Sequence, residues 1–143
     1  MPRILVIDDQ SQVRAAITHA LQAKGFEVVA AESGQSGLTM SEQSKFDAVI
    51  ADLFIPGIDG VTLIRELRKR NPGFPVIAMS GVLLGPSGRT PLDHLQTISE
   101  LTDVIPLQKP FQPNDLLRAV AAALAAGQSS TDETPPISQQ RAG

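Results

Sequence analysis

Five short, nearly continuous apolar runs alternate along this chain with longer amphipathic segments, and that alternation constrains the fold more than any other feature. Arg3 to Ile7 reads as a buried strand. Gln10 to Lys24 then places Val13, Ile17, Ala20 and Leu21 at helical spacing, and Gly25 supplies the stop. Phe26 to Ala31 is the second strand, and Ser33 to Gln43 a second helix with a weak apolar face. Asp47 to Ala51 is the third strand, and Val61 to Arg70 a helix ended by Asn71-Pro72-Gly73. Pro75 to Met79 is the fourth strand. Ser80 to Arg89, with three glycines and a proline, reads as a loop. Thr90-Pro91-Leu92-Asp93 has the order of a helix start, so a fourth helix is expected from Pro91 to about Leu101.

Asp103 to Leu107 is the fifth strand, with Pro106 inside it. Proline donates no ladder hydrogen bond, so this strand belongs at a sheet edge. Pro113 to Ala125 is an alanine-rich fifth helix. From Gly127 onward one large apolar residue and no periodicity remain, a composition that cannot offset its ordering entropy. Residues 127–143 are therefore expected to be a disordered tail behind a single domain over 1–126. Strands that are apolar throughout, each followed by a helix, argue for a parallel sheet covered by helices on both faces.

Composition narrows the chemistry. No cysteine is present, which excludes disulfides, thiolate metal sites and cysteine nucleophiles. A net charge of −3 gives no electrostatic footprint for nucleic acid. No stretch approaches the ~20 apolar residues of a membrane span, and the opening apolar run is too short for a signal peptide. The expectation is a cytoplasmic protein with neither nucleic acid nor membrane as partner.

In open parallel sheets, ligands bind beyond the carboxyl ends of the strands, where the strand order reverses. Strand one ends in Asp8-Asp9, strand three in Asp52, strand four in Ser80-Gly81, and strand five leads to Lys109-Pro110. Carboxylates brought together repel unless a cation lies among them, and Mg²⁺ is the usual ion where one or two carboxylates meet a phosphate. Ser80 offers a hydroxyl and Lys109 a point charge, both suited to phosphoryl oxygens. Singly, each element has a plain reading: a solvated acidic cap, a turn aspartate, an ordinary serine-glycine loop, a strand-ending lysine. Their joint placement at four strand ends points to a nucleophilic carboxylate facing a phosphoryl group.

These residues carry a family resemblance. Ile4-Leu5-Val6-Ile7-Asp8-Asp9, Asp52 to Gly60 with its Pro56-Gly57 and Asp59-Gly60 dipeptides, Ser80-Gly81 and Lys109-Pro110-Phe111 resemble the receiver domain of response regulators. This is the family of the chemotaxis regulator CheY, and the likeness runs from Arg3 to about Ala126. The resemblance implies a doubly wound, flavodoxin-like sheet of order 2-1-3-4-5. It implies Asp52 as phosphoacceptor, supplied by a sensor histidine kinase, a histidine phosphotransfer protein or a small phosphodonor. Mg²⁺ would be held by Asp8, Asp9, Asp52 and the backbone carbonyl of Phe54. Ser80 and Lys109 would each bond a phosphoryl oxygen, Lys109 through a cis peptide to Pro110. Output would pass by protein contacts to a downstream target that the sequence does not name. The contact face would comprise helix four, strand five and helix five, with helix one meeting the kinase. Such a chain is no enzyme beyond its own phosphorylation and dephosphorylation.

The chain departs from the pattern in three places. Pro106 stands where receivers often carry an aromatic switch residue. Residues 82–90 lengthen the segment after Ser80, either as a tolerated surface insertion or as an apolar lid. Phe54 and Val82 are apolar where many receivers are polar, which predicts slow loss of the phosphoryl group. His19, His94 and the basic run Arg65, Arg68, Lys69, Arg70 read as surface residues. Two other readings stand beside the receiver: a degenerate binding module that is not phosphorylated, and an aspartate-nucleophile phosphohydrolase. The second expects an Asp-x-Asp after strand one, whereas here the acids are adjacent and Gln10 follows.

Overall fold

A computed structural model describes residues 1–81 and 104–132. The order is β1 (Arg3–Ile7), α1 (Ser11–Gln22), β2 (Glu27–Ala31), α2 (Gly34–Gln43), β3 (Ala48–Asp52), α3 (Gly60–Arg70), β4 (Val76–Gly81), β5 (Val104–Lys109) and α4 (Pro113–Asp132). All pairings are parallel and the sheet order is β2-β1-β3-β4-β5. The doubly wound architecture is therefore the one expected. The expected helix over 91–101, His94 and the long segment 82–90 lie outside the described residues.

Alternate side chains of each strand feed two separate cores, which is why the strands are apolar without interruption. Leu5, Ile7, Val49, Ala51, Val76 and Ala78 pack with Leu38 of α2 and Leu63, Ile64 and Leu67 of α3. Ile4, Val6, Ile50, Ile77 and Met79 pack on the other face with Ile17 and Leu21 of α1 and Leu116, Val120 and Ala123 of α4. The central strands β1, β3 and β4 are buried on both sides. β5 is at the edge, as Pro106 requires, opposite Ala78 and exposed.

Two expectations need correction. β4 runs through Ser80 and Gly81, so these residues finish a strand and do not open a loop. Their partners Gln108 and Lys109 lengthen β5 by the same two residues, and paired ladder bonds outweigh the weak strand propensities of serine and glycine. The last helix continues to Asp132, past the expected end at Ala125 and through Gly127. Propagation adds one hydrogen bond per residue fixed, so an established helix carries polar residues that would not start one. The rest of the expected tail, 133–143, lies outside the described residues.

The loop behind β3 is tightly specified. Gly57 has φ +93°, the left-handed region that glycine enters without steric cost. Asp59 caps α3 by accepting a hydrogen bond from the Thr62 amide at 3.1 Å. Gly60 lies against the backbone of Leu53: a Cβ there would stand 2.7 Å from its Cα and its carbonyl oxygen. Alanine gains about 1 kcal/mol of helix propensity over glycine, but overpacking against an immovable neighbour costs about 1–3 kcal/mol. Because the neighbour is backbone, the clash is expected to win. Gly60→Ala should lower the urea midpoint, with a net loss of about 1 kcal/mol; a midpoint at or above that of the parent would show that the loop can give way.

Candidate functional site

The carboxyl ends of β1, β3 and β5 meet in one acidic cleft. Asp8 follows β1 directly and is fully buried; Asp52 closes β3 and is 5% exposed. Asp9 is exposed. One carboxylate oxygen from each of the three lies within 4.8 Å of the other two. An octahedral ion with ligand distances of about 2.1 Å holds its ligands about 3–4 Å apart, so the three oxygens fit around one small divalent cation.

Every polar group of Asp8 is used. Its amide donates to the Ala31 carbonyl at 3.1 Å, and its Oδ1 accepts the Gln10 amide at 2.8 Å. Its Oδ2 accepts Lys109 Nζ at 2.8 Å, and its carbonyl accepts Arg14 Nη1 at 2.7 Å. Asp52 repeats the turn on β3, with Oδ1 accepting the Phe54 amide at 2.8 Å and Oδ2 accepting Lys109 Nζ at 2.9 Å. Each aspartate thus has one oxygen fixed by the amide two residues on, an Asx turn, and one turned to the lysine. Among the described residues, the Asp9 carboxylate accepts no hydrogen bond.

Lys109 reaches this position from the end of β5, before a cis Lys109–Pro110 bond. Burial pushes its pKa down, but the hydrogen bonds and charges of Asp8 and Asp52 outweigh that and hold it above the ordinary lysine value. The ammonium therefore stays charged at neutral pH. A lysine whose pKa rises on folding stabilises the fold fully below the unfolded value of about 10.4, and the benefit is lost as pH climbs through the folded pKa. Three carboxylates face one ammonium, so the cluster remains negative and suits a further cation.

Of the six residues expected at the site, Asp8, Asp9, Asp52 and Lys109 come together. Ser80 is partly buried at the end of β4, one step past the Asp52–Met79 pair and beside Gln108. Phe54 bonds Asp52 through its amide, and the residue is 44% exposed. Arg14 belongs to the site although its sequence position carries no signal, since a lone arginine on a helix ordinarily reads as solvated. The basic run on α3 stays outside: Arg70 pairs with Glu42 and Glu66, Lys69 with Glu66, and Arg68 bonds the Phe74 carbonyl. His19 is exposed on α1, as expected.

Comparison with known proteins identifies the family and the fold. The family model described as the response regulator receiver domain matches residues 4–121. The transcriptional regulatory protein PrrA of Mycobacterium tuberculosis is 31% identical over 137 residues, covering 95% of this chain and 56% of PrrA. The chain thus spans little more than half the length of that relative. A receiver domain protein from Clostridium thermocellum superposes with a TM-score of 0.77 at 30% identity, covering 91% of this chain and 99% of the other. The chemotaxis protein CheY4 of Vibrio cholerae gives 0.75 at 25% identity, covering 87% and 99%.

The charge arrangement has a measurable consequence. Lys109→Met leaves two buried carboxylates facing each other and should cost about 3 kcal/mol in urea unfolding at neutral pH. Asp52→Asn keeps an acceptor for the Phe54 amide and removes a like charge, so stability should stay within about 1 kcal/mol of the parent. Equal losses in the two variants would mean that carboxylate crowding is not what Lys109 relieves.

Proposed function

The chain belongs to the response regulator receiver domain family, and from that premise we propose that it is a cytoplasmic phosphoryl-accepting regulator with Asp52 as acceptor. The observation that carries the reading is the buried Asp52 carboxylate, held between the Phe54 amide and Lys109 and beside Asp8 and Asp9. The phosphoryl donor is the phosphohistidine of a sensor histidine kinase or of a histidine phosphotransfer protein.

Asp52 Oδ2, the oxygen facing Lys109, forms the new bond to phosphorus. The P–N bond of the donor breaks, its electron pair stays on the imidazole nitrogen, and that nitrogen then takes a proton from solvent. Lys109 passes from Asp52 Oδ2 to a phosphoryl oxygen, keeping its second bond to Asp8. The Ser80 hydroxyl, at the end of the neighbouring strand, bonds another phosphoryl oxygen. Asp8, Asp9, Asp52 and the Phe54 carbonyl are the residues that would hold Mg²⁺, which when bound supplies positive charge against the phosphoryl oxygens.

The donor protein approaches along α1. A groove of about 550 Å³ next to Lys109 is lined by Gln12, Val13, Ala16, Pro110 and Phe111, apolar for the most part. Output runs through protein contacts on the side of β5 and α4. Pro106 has no ring to rotate there, so the signal depends on Ser80 and the β4 end.

Incubation with Mg²⁺ and acetyl phosphate, followed by intact mass, tests the reading. One added phosphoryl group, absent in Asp52→Asn, is the expected result. No addition under any donor would point to a phosphorylation-independent binding module, and sustained release of inorganic phosphate to a hydrolase. The exposed Phe54 ring offers attacking water no hydrogen-bond partner, so the phosphoprotein should persist for minutes or longer without a phosphatase. Phe54→Asn should shorten that lifetime, and a parent half-life of seconds would contradict the argument.

A further inference from the structure

We propose that Arg14 is a positioning residue for the acidic turn: through the Asp8 carbonyl it fixes the direction in which Asp9 presents its carboxylate. The inference rests on the reading that Asp9 is a magnesium ligand.

Asp9 is exposed, and among the described residues its carboxylate has no hydrogen-bond partner of its own. Its orientation therefore comes from the backbone on either side. On the N-terminal side, the Asp8–Asp9 peptide is held by Arg14 Nη1, which donates to the Asp8 carbonyl at 2.7 Å. On the C-terminal side, the Gln10 amide is held by Asp8 Oδ1 at 2.8 Å. The Gln10 carbonyl in turn accepts the Val13 and Arg14 amides at 3.1 Å each, opening α1. Arg14 thus grips the turn twice, by its own amide and by its guanidinium.

Among the described residues, no second donor reaches the Asp8 carbonyl. Gln10, at the N-cap of α1, makes no side-chain cap bond. Without the guanidinium, the buried Asp8 carbonyl loses its donor, and the peptide preceding Asp9 can rotate. Side chains that hold metal ligands from outside typically matter at about 10–100-fold in metal affinity.

A second role for Arg14 has the opposite sign. If it acted only as a nearby positive charge, it would repel the incoming cation, and removing it would tighten magnesium binding. The two accounts therefore separate on one measurement. The chain has no tryptophan, so Mg²⁺ is titrated into the ¹⁵N-labelled protein while the amide shifts of Asp9 and Gln10 are followed.

Arg14→Met and Arg14→Gln should each weaken Mg²⁺ binding by about tenfold, and Arg14→Lys, with charge and a donor retained, should recover part of it. Phosphorylation by acetyl phosphate should slow at low Mg²⁺ and return to the parent rate at saturating Mg²⁺. Thermal unfolding identifies which of the neutral variants are folded, and either one that is folded decides. Unchanged or tighter binding overturns the positioning role. If the parent binds no Mg²⁺, or Asp9→Asn binds as well as the parent, the metal-site reading fails instead.

Discussion

The ammonium of Lys109 between Asp8 and Asp52 is the interaction on which the remainder of the site depends. Two carboxylates with almost no exposure could not sit at adjacent strand ends without a cation among them. The ammonium is 2.8 and 2.9 Å from them, although the three residues lie 101 and 57 positions apart in the chain. Bringing them together requires β1 and β3 to be neighbours and β5 to be joined through β4. Sheet order and charge balance are thus one requirement, met at the place where the strand order reverses.

The strand ends are held by local chemistry as well. Asp8 and Asp52 each bind the amide two residues on, so each acid orders the turn that displays it. Behind Asp52, the close approach of Gly60 to Leu53 gives the loop little room, and Gly57 sets its turn by a left-handed backbone. The acidic residues are consequently displayed by rigid backbone, and little reorganisation is left for a ligand to impose.

Much of the architecture was legible because burial on two faces leaves a simple trace: strands such as Ile4 to Ile7 have no polar alternation, and helices show their period. Pro106 marked the edge strand for a reason of hydrogen bonding alone. Asp8, Asp9, Asp52 and Lys109 could be picked out because a doubly wound sheet directs its strand ends to one place. Ser80 and Gly81 were harder, since their strand conformation comes from pairing with Gln108 and Lys109 and not from their own propensities. The helix through Gly127 to Asp132 depends on propagation from residues upstream, which a window of polar residues does not reveal. Arg14 was invisible because its role is a bond to backbone, and sequence records no carbonyls.

Pro106 has a further consequence, for self-association. An edge strand offers a row of unpaired amides and carbonyls to any extended chain that meets it. A proline in such a strand turns its missing donor outward, because the inner side must serve the ladder with β4. Of the outward amide positions Val104, Pro106 and Gln108, the middle one has no hydrogen to give. An extended segment laid along β5 would leave one of its own carbonyls without a partner, at the centre of the new pairing. The β5 rim of the sheet is thereby guarded against strand-by-strand aggregation by a residue that also carries no switching ring.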